Sequence, residues 1–145
     1  MTIVLGADHA GYTLKETIKN HIKEKDEEVI DVGTFSEDSV DYPLFAVEVC
    51  EKIKTQEASL GILVCGSGVG MSIAANRFPF IRAVLGCNAS VVQASKKHNN
   101  TNVLCLGARF TPVNEALEIV EAFLSTSFEG ERHQKRVDML SSLQG

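Results

Sequence analysis

The feature that most constrains this chain is its alternation of short apolar runs with segments whose apolar residues recur every third or fourth position. Thr2 to Gly6 is a β-rich run, and Tyr12 to Lys25 then carries Leu14, Ile18 and Ile22 on one helical face. Val29 to Val32 reads as a second strand, followed by a helix with Ala46, Val49, Cys50 and Ile53 on one side. Leu60 to Cys65 is apolar almost throughout, as a strand buried on both faces must be. The pattern repeats with a helix over Val69 to Arg77, a strand over Arg82 to Gly86 and a helix over Ala89 to Lys97. A fifth strand over Val103 to Gly107 precedes helices over Asn114 to Leu124, with Ala116, Val120, Phe123 and Leu124 on one face, and Glu131 to Leu143, with Val137 and Leu140 apolar.

Strands that alternate with helices pair in parallel and need helices on both faces of the sheet. The expected fold is therefore an α/β protein, a Rossmann-like three-layer α/β/α sandwich on a five-stranded parallel sheet. One domain accounts for residues 1–145, with no linker or repeat. In such sheets ligands bind beyond the carboxyl ends of the strands, where strand order reverses. A 2-1-3-4-5 order makes the turns after strands one and three neighbours at that point.

Composition excludes several classes of function. The formal charge of −5 argues against nucleic acid as a partner. Arg132, His133, Lys135 and Arg136 form a local basic cluster, which suits a small anion better than a long polyanion. No apolar run approaches a membrane span, and Met1 to Gly6 reads as a strand rather than a signal peptide. A soluble cytoplasmic protein is the expectation. Cys50, Cys65, Cys87 and Cys105 show neither a CxxC pair nor Cys/His zinc spacing, so free, mostly buried thiols are expected and no structural metal.

The strand ends carry the chemistry. Gly6-Ala7-Asp8-His9-Ala10-Gly11 follows strand one, and Cys65-Gly66-Ser67-Gly68-Val69-Gly70 follows strand three. Asp8, His9, Cys65 and Ser67 then face one crevice. The glycines let backbone amides approach an anion or a developing oxyanion, although they also suit a tight turn that binds nothing. No Gly-Lys-Ser/Thr makes this a Walker A loop, and Met71 takes the place of the last glycine of a dinucleotide fingerprint. Cys65 sits just before a helix N-terminus, where a thiolate is favoured and acts as base or nucleophile. A buried cysteine is more commonly a small hydrophobe, the reading applied to Cys50, Cys87 and Cys105.

Other candidates lie further along. His98 falls in a polar helix-to-strand connection, either as a general acid or as an idle turn residue, while His21 reads as a boundary residue. Arg132 and Arg136, four residues apart, clamp a phosphate or lie on a solvated face near Glu129 and Glu131. Arg109 sits just past strand five, and Tyr42, ahead of the second helix, closes the crevice or packs.

Taken together, Gly6 to Gly11, Asp41-Tyr42-Pro43, Cys65 to Gly70, His98-Asn99 with Thr101 to Leu104, and Arg132-His133-Gln134 with Arg136-Val137 resemble ribose-5-phosphate isomerase type B over essentially the whole chain. The wider family includes allose-6-phosphate and galactose-6-phosphate isomerases. The resemblance implies interconversion of D-ribose 5-phosphate and D-ribulose 5-phosphate, in the non-oxidative pentose phosphate pathway, without metal or cofactor. It implies a homodimer, sometimes a tetramer, with a site shared across the interface, so that His98, Asn99 and Arg109 come from the partner. Carried onto matching positions, Cys65 is the base at C2, His98 the ring-opening acid, and Ser67 the group that moves a proton between sugar oxygens. The amides of Gly66, Ser67, Gly68, Val69 and Gly70 stabilise the enediolate, Asp8, Tyr42 and Asn99 contact hydroxyls, and His9, Arg109, Arg132 and Arg136 hold the phosphate. One branch of the family has a glutamate base at the position of Met71, so Cys65 places this chain in the thiolate branch. The alternatives are an isomerase of six-carbon sugar phosphates, a non-catalytic phosphosugar-binding module and, more distantly, a thiol redox sensor.

Overall fold

The computed structural model describes residues 1–143. The elements run β1 (Thr2–Ala7), α1 (Tyr12–Lys23), β2 (Glu28–Asp31), α2 (Tyr42–Lys54), β3 (Leu60–Cys65), α3 (Val69–Ala75), β4 (Ala83–Leu85), α4 (Ala89–Asn99), β5 (Val103–Gly107), α5 (Val113–Ser125) and α6 (Arg132–Ser142). The alternation read from sequence is borne out, and all strands pair in parallel.

The strand order is β2-β1-β3-β5-β4, which corrects the expected order at one edge: β5 lies between β3 and β4. Burial explains the exchange. Every residue of β5 is buried, whereas the three residues of β4 are only partly so. The fully apolar strand takes the interior place, and the short one takes the edge, where half its backbone faces away from the sheet. The reversal between β1 and β3 is unaffected, and Ala7 pairs with Val64 beside it.

Alternation along each strand splits the core in two. Ile3, Leu5, Ile62, Val64, Leu104 and Leu106 face one side, with Leu14, Ile18 and Ile22 of α1 and Ile119, Val120 and Phe123 of α5. Val4, Leu63, Cys65, Val103 and Cys105 face the other, under Ala46 and Val49 of α2 and Met71 and Ala75 of α3. Cys65 thereby points into the layer that α2 and α3 occupy. α6 stands outside both layers and packs on α4 alone among the helices and strands of the described residues.

One polar element is built into the packing of α1 on β2. Lys15, 1% exposed, reaches both carboxylate oxygens of Asp31 at 2.7 and 2.6 Å. Lys19 Nζ adds a third contact at 2.8 Å, and the Gly33 amide donates to the same carboxylate at 2.9 Å. Burial opposes the charge on Asp31, but the hydrogen bonds from Lys15, Lys19 and Gly33 outweigh it and hold the carboxyl below its usual range.

Candidate active site

β3 ends at Cys65, and the chain turns through Gly66-Ser67-Gly68 into α3. Gly68 has φ +79°, a conformation that costs a side-chain-bearing residue energy and glycine little. That turn aims the Gly68 amide at Cys65 Sγ, 3.2 Å away. An N–H donor directed at sulfur stabilises negative charge there. The Val69 amide donates to Ser67 Oγ at 3.2 Å, which leaves the hydroxyl proton free to be given away. Two of the loop amides are thus engaged within the chain. In the first turn of α3 the Gly70 amide has no intrahelical acceptor and is available to a ligand.

Cys65 is 5% exposed, but it lines a crevice of about 430 Å³ together with Asp8, Tyr42, Gly66, Ser67, Val69, Gly70, Ile73 and Arg109. Asp8, 7% exposed, is fixed by the Gly11 amide on Oδ1 at 3.1 Å. Tyr42 comes from the first residue of α2, rather than ahead of it, because Asp41 is the extended N-cap and Pro43 fits the first turn. Its ring packs over Gly70, where a Cβ would lie 2.6 Å from Tyr42 Cζ. The Arg109 guanidinium packs over Gly66 in the same way, 2.7 Å from where a Cβ would stand. Arg109, expected from a partner chain, therefore lines the crevice of its own chain.

The other cysteines behave differently. Cys50 and Cys105 are buried on the same side of the sheet, and burial pushes the Cys50 thiol up to about 12 and the Cys105 thiol higher still. Neither lines the crevice, while Cys87 is exposed.

The remaining candidates lie outside the crevice. His9 sits beside Asp8, and its Nδ1 accepts the Val40 amide at 3.2 Å, tying the β1–α1 turn to the loop before α2. His98 is not in a connection: α4 continues through Asn99, closed by Asn100 at φ +49°, and His98 and Asn99 are exposed in its last turn. An asparagine in the left-handed conformation is a helix stop, and it falls three residues beyond the predicted end at Lys97. Arg132 and Arg136 are exposed on α6, with buried His133 between them in sequence. The His133 ring stacks on His98, with centroids 4.6 Å apart. Ile73, outside the sequence candidates, also forms the crevice wall, and its place four residues after Val69 on α3 is the signal for it.

Comparison with known proteins gives a consistent set of relatives. A family model described as Ribose/Galactose Isomerase matches residues 3–140. The chain is 44% identical to ribose-5-phosphate isomerase B of Escherichia coli over 142 residues, covering 98% of this chain and 95% of that protein. It is 41% identical to the Mycobacterium tuberculosis protein of the same name, covering 97% and 88%. Among solved structures, that of Clostridium thermocellum ribose-5-phosphate isomerase B superposes with a TM-score of 0.96 at 44% identity, covering 97% of this chain and 95% of that one. The Mycoplasma genitalium structure, solved with bound ribulose-5-phosphate, gives 0.91 at 41% identity, covering 97% and 93%.

Proposed function

The chain belongs to the ribose/galactose isomerase family, and from that we propose that its crevice interconverts D-ribose 5-phosphate and D-ribulose 5-phosphate with Cys65 as the base. The observation that carries the assignment of roles is the grouping of Cys65, Ser67, Asp8, Tyr42 and Arg109 in one crevice, with an amide donor on the cysteine sulfur.

The open-chain aldose offers a C2 proton made acidic by the C1 carbonyl. The Cys65 thiolate takes that proton, and the electron pair passes through C1 to the carbonyl oxygen as an enediolate. The Ser67 hydroxyl moves a proton from the C2 oxygen to the C1 oxygen, and Cys65 returns its proton to C1. The products are a C2 ketone and a C1 alcohol, with no net gain or loss of electrons. Loop amides such as that of Gly70 stabilise the developing charge, where fixed dipoles act without reorganisation. Asp8 and Tyr42 orient the sugar hydroxyls. Arg109 and His9 serve the phosphate together with the partner subunit's Arg132 and the partner subunit's Arg136, since α6 packs beside His98 and away from the crevice of its own chain; the phosphate's binding energy positions C2 against the sulfur.

His98, as ring-opening acid, and Asn99 stand apart from this crevice within one chain, so a shared site is part of the reading. Exposed Leu44, Val47, Val69, Ile73 and Phe110, on elements bordering the crevice, support a homodimer in which the partner subunit's His98 and the partner subunit's Asn99 complete it. Among the described residues no helix is long and apolar enough to cross a membrane. A cytoplasmic place in the non-oxidative pentose phosphate pathway follows from the reaction proposed.

The test is conversion of ribose 5-phosphate to ribulose 5-phosphate by purified protein in excess chelator, with allose 6-phosphate and galactose 6-phosphate beside it. Five-carbon turnover supports the reading. Turnover of the six-carbon substrates alone moves the assignment within the family, and no turnover with retained phosphosugar binding moves it to a binding module.

A further inference from the structure

We infer that His98, Glu129 and His133 form a binding site for a single divalent ion of the zinc, cobalt or nickel class. His98 lies in the last turn of α4, Glu129 in the loop ahead of α6, and His133 in the first turn of α6. One ligand atom from each residue lies within 4.8 Å of the other two. The imidazole rings stack at 4.6 Å with 24° between their planes, which sets the two residues side by side; the exposed His98 ring turns out of the stack to direct a nitrogen at an ion that His133 also reaches.

The separation of His133 Nε2 from Glu129 Oε1 is 3.5 Å. That is long for a charge-assisted hydrogen bond, which closes to about 2.7–2.9 Å. It matches the edge of a tetrahedron: ligands about 2.05 Å from a zinc ion stand about 3.4 Å apart. The backbone already holds the groups near this geometry. The Glu129 amide donates to the Lys97 carbonyl at 3.1 Å, which fastens the loop to the end of α4, and the His133 amide donates to the Gly130 carbonyl at 3.0 Å. His133 is nearly buried, with 10% of its side chain exposed, and forms the fixed wall. His98 and Glu129 are exposed and need only side-chain rotation to close on an ion, which leaves a fourth position for water. Two imidazoles and one carboxylate select zinc, cobalt or nickel over magnesium or calcium, which require oxygen ligands.

The consequence rests on the proposed role of His98. A metal on its ring nitrogen takes the lone pair that would carry the proton, so occupancy stops ring opening. The site is inhibitory, and the isomerisation itself has no use for it.

Titration of the metal-free protein with zinc chloride against a chromogenic chelator, with isomerase turnover followed in parallel, tests both levels. The expected result is one zinc per chain, loss of turnover on occupancy and recovery with EDTA. Glu129→Gln, at an exposed position that spares the core, weakens zinc binding by at least about tenfold, and His133→Gln does the same. Cobalt(II) bound to the wild type shows no intense thiolate-to-metal band, which separates this site from Cys65. Absence of zinc binding, equal binding by both variants, or a thiolate band overturns the proposal while leaving isomerase turnover standing. Zinc bound as described with turnover unchanged supports the site and instead refutes His98 as the ring-opening acid.

Discussion

Gly107 closes β5 directly opposite Cys65 in the strand register, and the catalytic loop rests on it. A Cβ at position 107 would stand 2.4 Å from the Ser67 carbonyl oxygen and 2.8 Å from Ser67 Cα. Ordinary contact begins near 3.4 Å, so Gly107→Ala forces the loop to retreat by about 1 Å. The obstructing atoms are backbone, so no side chain can rotate away to absorb the change. Overpacking of this kind costs about 1–3 kcal/mol of stability. The larger effect is on catalysis, because Ser67 Oγ and the amides beside Cys65 move together. A displacement of about 1 Å in a positioned group lowers kcat by about 100-fold. Steady-state kinetics on ribose 5-phosphate, with urea unfolding to confirm a folded variant, measures both quantities. A folded Gly107→Ala protein with kcat within about threefold of the parent refutes the claim that the loop geometry carries the reaction.

Further predictions follow from the phosphate clamp and the α1–β2 ion pair. Arg136→Ala raises KM for ribose 5-phosphate by about tenfold or more with a smaller effect on kcat, and an unchanged KM removes Arg136 from the clamp. Asp31→Asn leaves the Lys15 ammonium buried without its carboxylate and costs about 3–5 kcal/mol at pH 7, read from urea unfolding. Because the folded Asp31 carboxyl is held below its usual range, the stability it contributes is complete above about pH 4 and is lost as pH falls through the folded value, so the gap between parent and variant narrows in acid. A gap that widens below pH 4 contradicts that assignment.

The sheet and its helices were legible because each strand is apolar enough to be recognised alone and each helix carries a periodic face. The edge order was not, since the choice between β4 and β5 depends on which strand the helices bury more completely. Of the site, the crevice residues of the β1 and β3 turns were legible, because fold topology brings those turns together whatever the rest of the chain does. The resemblance implies Arg109 from a partner, yet its backbone amide donates to the Gly66 carbonyl at 3.0 Å and its guanidinium lies over Gly66 of its own loop. α4 ends beyond the Lys97 expected from sequence because Asn100 stops the helix through a left-handed conformation that local polarity does not reveal. The stacking of His98 on His133 joins residues 35 positions apart on α4 and α6, and no local pattern encodes it.

The central claim is that the Cys65 sulfur removes the C2 proton. Ribose 5-phosphate deuterated at C2, incubated in ordinary water with wild type and Cys65→Ala, reads that step directly. With the wild type, deuterium leaves C2 and appears at C1 of the ribulose 5-phosphate or, where the thiol exchanges first, in solvent; with Cys65→Ala none leaves C2 above background, although the variant keeps its fold and binds the sugar phosphate. Loss of deuterium at the wild-type rate in Cys65→Ala would contradict it.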